Sequence, residues 1–140
     1  MKIIPVCPYS FGSNTYILLS GSEAIAVDPS VSVRAIDSLL EQNRAKLCGI
    51  LLTHGHHDHR ETLAETVAEF GCPVYIGAED AAQFGLEGTL PYEDKTVMKF
   101  GEIKLFVFAT PGHTPGGYCL WTEGALFSGD TLFAGTVGRT

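Results

Sequence analysis

The sequence predicts an α/β domain, and three observations carry that expectation. Short apolar runs bounded by turn residues recur along the chain, as the strands of a buried sheet do. Between the earlier runs lie segments whose apolar residues fall at helical spacing. The chemically active side chains sit just past the ends of strand-like runs, where open α/β sheets form their ligand crevices. With 140 residues, positions 1–140 read as one domain, long enough to bury most of the surface that the unfolded chain exposes.

Taken in order, strands are expected over Ile3–Val6, Asn14–Ser20 and Ala24–Val27. A helix follows over Val33–Asn43, where Val33, Ile36, Leu39 and Leu40 make one apolar stripe and Ser32 can cap the start. Leu47–Thr53 is short, apolar and bounded, as a buried strand would be. Glu61–Phe70 carries Leu63, Ala64, Val67, Ala68 and Phe70 close to a helical stripe, and Gly71 can end it. Asp58 stands near the start of that helix, as a cap or as a ligand. A strand over Val74–Ile76 and a helix over Ala78–Phe84 come next, then an irregular loop over Gly85–Tyr92. Four more strands are expected over Thr96–Phe100, Ile103–Ala109, Tyr118–Thr122 and Ala125–Ser128.

Composition narrows the partners. The net charge of −7 argues against nucleic acid, whose phosphates require clustered lysine and arginine. Cys7, Cys48, Cys72 and Cys119 are far apart and form no C-x-x-C pair. Cys48 and Cys119 fall inside apolar strands and read as small buried hydrophobes, which suits a reducing cytoplasm. The apolar stretch at the N-terminus is interrupted by Pro5 and Pro8, too early for the core of a signal peptide. No run approaches membrane-spanning length. The expectation is a cytoplasmic protein with a small-molecule substrate, no nucleic acid and no membrane.

The strongest signal is Thr53-His54-Gly55-His56-His57-Asp58-His59. Four of the chain's five histidines occur here, and imidazole and carboxylate are the usual ligands of zinc and similar divalent ions. His54 and His56 are two apart, so an extended segment points both to one side. Gly55 between them frees the backbone to meet the ligand geometry. Asp58 and His59 are adjacent and share a face only if the chain turns. The simplest arrangement gives His54 and His56 to one metal and Asp58 and His59 to a second, leaving His57 over. The competing reading is a solvated polar loop. The remaining histidine, His113, lies in Thr110-Pro111-Gly112-His113-Thr114-Pro115-Gly116-Gly117, again just past a strand. Its bland reading is a surface residue; beside a cluster that needs partners, it is a ligand. Asp130, in Ser128-Gly129-Asp130-Thr131, is either a turn residue or a carboxylate with one oxygen on each of two metals. The recurrence of strand-end ligands favours the second.

T-H-G-H-H-D-H, then P-G-H-T-P-G-G, then F-S-G-D-T-L-F, in this order and at these separations, resembles the metallo-β-lactamase fold superfamily. The earlier part is similar too: Ser13–Leu18 and Ala24–Pro29 look like its opening meander. G-D-T-L-F-A-G followed by G-R looks closest to the hydroxyacylglutathione hydrolase (glyoxalase II) branch. The resemblance implies an αββα sandwich, two sheets face to face with helices outside. It assigns His54, His56 and His113 to a first metal, Asp58 and His59 to a second, and Asp130 to a bridge between them. Asp58 is also the candidate catalytic residue. The implied cofactors are two divalent ions, zinc first, with iron or manganese as alternatives.

Proteins of that superfamily continue through further strands and helices and bring one more histidine to the second metal, whereas no histidine follows His113 here. The expected fold is therefore incomplete at its C-terminus. Ile103–Ala109 and Ala125–Ser128 should have an open flank, which invites self-association or swapping through the sheet edge. Arg60-Glu61-Thr62 stands where many relatives have small residues, and Thr136-Val137 replaces a glycine–cysteine pair common in glyoxalase II enzymes. The implied chemistry is attack of a metal-bound hydroxide on an ester-like carbonyl, the resemblance favouring a thioester such as an acylated glutathione. Ser10, Ser13 and Ser128 lack a histidine free of metal duty, so a serine triad is not expected. The alternatives are another activity of the same fold (lactonase, β-lactamase or persulfide dioxygenase), an inactive metal-binding fragment, and a metal-free structural protein.

Overall fold

The computed structural model describes residues 1–6, 15–53, 55, 60, 62–110 and 116–127, and the backbone of Leu132–Ala134. The chain opens with an antiparallel meander of β1 (Lys2–Val6), β2 (Thr15–Ser20) and β3 (Glu23–Val27). Pairing then turns parallel. Helices α1 (Val33–Gln42), α2 (Leu63–Phe70) and α3 (Ala78–Gln83) lead in turn to β4 (Lys46–Leu51), β5 (Val74–Ile76) and β6 (Leu90–Pro91). The first sheet therefore has six strands in sequence order. A second, antiparallel sheet follows: β7 (Thr96–Phe100), β8 (Ile103–Ala109), β9 (Tyr118–Thr122), β10 (Ala125–Phe127) and β11 (Leu132–Ala134).

Side-chain alternation turns these elements into layers. On β2, Ile17 and Leu19 join Ile36 and Leu40 of α1 and Leu63 and Val67 of α2 in one apolar cluster. Leu18, between them, points the other way and packs with Leu105, Val107 and Leu120 of the second sheet. The first sheet is thus buried on both faces, which is why β2 to β4 read as nearly continuous apolar runs. The second sheet faces it with one side only: Ile103, Leu105 and Val107 are buried, while Val97, Phe106 and Trp121 are exposed on the other face. The described layers are helix, sheet and sheet. Among the described residues no helix is long and apolar enough to cross a membrane.

The ends of elements explain where expectation and structure differ. Ser32 caps α1 as expected, its hydroxyl accepting from Ala35 N–H at 3.2 Å. Gly71 ends α2 in the left-handed region (φ 62°), donating to Val67 O at 2.8 Å. The helix begins at Leu63, with Thr62 at the cap position, and Glu61 lies outside the described residues. The Thr62 hydroxyl donates to Val31 O instead of capping. Asp58 lies outside the described residues, so its expected capping has no structural counterpart here. The 85–92 loop ends in a two-residue strand, Leu90–Pro91, too brief to show any periodicity. Cys119 is buried, but Cys48 is half-buried: the β3–β4 register shifts beside it, between Ala24 and Ile25, and its thiol faces Lys46 O at 3.5 Å. The flank beside β10 is not open, because β11 pairs along it. Among the described residues, Val97, Phe106 and Trp121 leave apolar surface exposed on the outer face of the second sheet.

Candidate metal centre

His54, His56, Asp58, His59, His113 and Asp130, the six residues picked out by the sequence, lie outside the described residues, as does His57. Among the described residues no three His, Cys, Asp or Glu side chains gather as a metal site requires. What the structure describes is the framework from which those segments leave and to which they return.

That framework is held together at one end of the two sheets. β4 stops at Leu51 rather than Thr53 because beyond it side chains take the Leu52 carbonyl and the Thr53 amide, although Leu52 N–H still reaches β5. Leu52 N–H donates to Tyr75 O and its carbonyl accepts the Tyr92 hydroxyl, both at 2.9 Å. Asp28, just past β3, takes Thr53: its Oδ1 accepts the Thr53 amide and its Oδ2 the Thr53 hydroxyl, each at 2.8 Å. Asp28 is buried with φ 51°, a left-handed conformation that Asp tolerates better than most residues. Its own carbonyl accepts the Thr15 hydroxyl, and Ser30 N–H donates to the same hydroxyl at 2.8 Å. Finally, Thr53 O accepts Tyr118 N–H from β9 at 2.8 Å. The residue before His54 is therefore tied to both sheets.

Gly55 is held on every side. Its N–H donates to Asp80 Oδ2 at 2.8 Å and its carbonyl accepts Arg60 Nε–H at 2.7 Å. A Cβ placed on it would lie 2.3 Å from the Phe84 ring, so any side chain here would force that ring or the loop to shift. The Arg60 guanidinium in turn lies over that ring, 5.9 Å from its centre. The expectation gave Gly55 to backbone freedom; the reason the structure shows is steric.

The segment 111–115 leaves and returns nearby. Thr110 N–H donates to Gly117 O at 2.9 Å, closing the loop at its base. Asp80 Oδ1 accepts Gly116 N–H at 2.7 Å, so one carboxylate holds both Gly55 and Gly116. The third segment, 128–131, links β10 to β11, where Phe127 pairs with Leu132. Phe127 also pairs with Leu120, two residues from Tyr118, so β10 ends at the same end of the sheet where β8 ends and β9 begins. Beneath lies an aromatic column: Tyr75 stacks on Tyr92 at 6.3 Å, and Tyr92 meets Tyr118 at 4.8 Å. Burial first, and then the field of Asp28, hold the Tyr92 phenol well above its usual pKa.

Nothing in the sequence marks Asp80 or Tyr92 for a role, and Asp28 stands out only within a family-like stretch. Asp28 carried a signal, an acid directly after an apolar strand. Asp80 carried none, because beside Glu79 it looks like one more acid on a solvated helix. The donor set fits divalent metal by its chemistry, imidazole nitrogen and carboxylate oxygen. The structure adds that the described residues flanking the first two segments converge on one buried carboxylate.

Comparison with known proteins agrees with this architecture. The chain is 39% identical over 117 residues to a hydroxyacylglutathione hydrolase of Idiomarina loihiensis, covering 84% of this chain and 45% of that protein. It is 32% identical over 117 residues to the probable polyketide biosynthesis zinc-dependent hydrolase PksB of Bacillus subtilis, covering 82% of this chain and 52% of that one. It thus spans about half the length of these curated relatives. Among solved structures, the BLEG-1 B3 metallo-β-lactamase superposes with a TM-score of 0.74 at 33% identity, over 99% of this chain and 76% of that one. The family model of the metallo-β-lactamase superfamily matches residues 9–140, and the chain belongs to that superfamily.

Proposed function

We propose that this chain carries the metal-binding part of a hydrolase acting on an ester-like carbonyl, a thioester of the acylated-glutathione kind first. The observation that carries the reading is the convergence on Asp80: Gly55 sits between His54 and His56 in the chain, and Gly116 lies three residues after His113. In this reading His54, His56 and His113 would hold one divalent ion, Asp58 and His59 a second, and Asp130 would serve both. When bound, such ions supply a water activated at neutral pH and a positive field for a developing oxyanion. The chain's own part is to orient. Asp28 fixes Thr53 ahead of His54, and Asp80, Arg60 and Phe84 fix Gly55 between the first two ligands. Two carboxylates among four imidazoles suit zinc, and the zinc-dependent hydrolase among the relatives supports it.

Thioester is preferred because hydroxyacylglutathione hydrolases are among the relatives at 36–39% identity. The likeness to a B3 β-lactamase supports a β-lactam as the second substrate class. Elemental analysis of the purified protein, with hydrolysis of an acylglutathione and of a β-lactam assayed before and after chelation, tests both. About one to two equivalents of metal and chelator-sensitive thioester hydrolysis are expected. A protein that binds no metal overturns the reading; metal with β-lactam turnover alone moves the substrate assignment. His56→Ala should lower metal content.

A further inference from the structure

We propose that Asp80 is the positioning residue that sets the first two ligand-bearing segments at the separation a metal requires; this rests on the metal reading above. The observation is its double acceptance. Each carboxylate oxygen takes one backbone amide, Gly55 at 2.8 Å and Gly116 at 2.7 Å, and Asp80 is fully buried. These amides belong to segments 25 and 36 residues from Asp80 in the chain. A short rigid carboxylate between two N–H groups fixes their distance as well as their direction. An exposed carboxylate would let either amide exchange its partner for water; a buried one does not.

The joint is reinforced by close packing of α3 against the same loop. A Cβ on Gly77 would lie 2.0 Å from Gly116 O, and a Cβ on Gly116 would lie 2.5 Å from Asp80 N. Both positions require glycine for space, so the first turn of α3 and Gly116 meet backbone to backbone. The rigid body of α3 is itself anchored by Ala81 N–H on Gly77 O and Phe84 N–H on Asp80 O, each at 3.0 Å. Phe84 then returns to Gly55 with its ring. Helix α3 thus touches one segment through Asp80 and Phe84, and the other through Asp80 and Gly77.

Asparagine is the informative substitution. It matches Asp80 in shape, but its amide nitrogen cannot accept, so one of the two N–H groups meets another donor. Groups that orient metal ligands from outside the coordination sphere typically contribute about 10- to 100-fold in metal affinity. The test compares wild-type, Asp80→Asn, Gly77→Ala and, as control, the exposed neighbour Glu79→Gln. Cobalt(II) affinity is read by competition with a chelator, the cobalt absorption spectrum reports ligand geometry, and circular dichroism of the metal-free protein reports folding. Amide hydrogen exchange at Gly55 and Gly116 is followed in the metal-free protein.

Asp80→Asn should remain folded, lose about 10- to 100-fold in cobalt affinity with an altered spectrum, and exchange faster at both glycines. Glu79→Gln should match wild-type in all of these. Gly77→Ala leaves the carboxylate in place and separates the same joint, so it should weaken cobalt binding too, and it carries the test if Asp80→Asn fails to fold. Wild-type affinity and spectrum in both variants would overturn the inference while the metal reading stands. Wild-type protein that takes up no cobalt would overturn the metal reading, and the inference with it.

Discussion

Gly55→Ala should destabilise the protein through a single identifiable contact. The new methyl carbon would lie 2.3 Å from Phe84 Cδ2 and 2.9 Å from Cε2. Neither side can withdraw freely. Gly55 is pinned at its amide by Asp80 and at its carbonyl by Arg60, while Phe84 ends α3 and lies under the Arg60 guanidinium. Forcing one carbon into a packed site costs about 1–3 kcal/mol. For a domain of this length each kcal/mol lowers Tm by roughly 3–5 °C, so a fall of roughly 3–15 °C is expected. Urea unfolding of Gly55→Ala, Phe84→Ala and the double variant closes the cycle. Phe84 is only half-buried, so its own truncation should cost less than the roughly 3–5 kcal/mol of a core phenylalanine. With the ring gone, Gly55→Ala should be near neutral. If the alanine costs as much in the Phe84→Ala background as alone, the steric account of Gly55 is wrong.

Other outcomes follow from the same framework. Asp28→Ala leaves the Thr53 amide and hydroxyl without this acceptor and should cost about 1–3 kcal/mol per orphaned donor. Asp28→Asn should cost clearly less, because its oxygen still accepts the amide and its NH2 can donate to the threonine hydroxyl; equal unfolding midpoints in urea would contradict this. Tyr92 has a raised folded-state pKa, so the unfolded chain ionises first as pH climbs. Its contribution is whole below the unfolded phenol's pKa and is lost as pH rises through the folded value. Tyr92→Phe should therefore flatten the alkaline decline in stability above pH ~10, and an unchanged slope would assign that decline elsewhere. We also propose that the exposed Val97, Phe106 and Trp121 drive self-association. Trp121→Lys should shift sedimentation toward monomer, and identical sedimentation at all concentrations would exclude this face.

What could be read from the sequence followed the range of each signal. Strand positions on β2 to β4 and β8 announced themselves because burial acts residue by residue: Ile17 to Leu19 and Ile50 to Leu52 are apolar where they stand. The cap at Ser32 and the stop at Gly71 are equally local. The ligand candidates were visible because four histidines crowd six positions. The supports were not. The Tyr92 hydroxyl reaches Leu52 across 40 residues, and Asp80 reaches Gly55 and Gly116 across 25 and 36. Each of these bonds ends on a backbone group, which every residue possesses, so no residue type at the far end marks it.

Asp28 and Asp80 also bear on how a doubly charged pair of ions could be held. Two divalent ions bring four positive charges, and Asp58 and Asp130 cancel two of them. Both further acids are buried: Asp28 is 2% exposed and Asp80 0%. Burial takes the oxygens of both carboxylates out of water, and the hydrogen bonds they accept replace that hydration. Cations held by the neighbouring segments would be drawn to them, since Coulomb attraction is weakly screened away from water. The same two carboxylates that orient the loops would then also add negative charge near the ends of those segments. Orientation and charge balance would come from one pair of residues, a combination that a neutral hydrogen-bond acceptor could not supply.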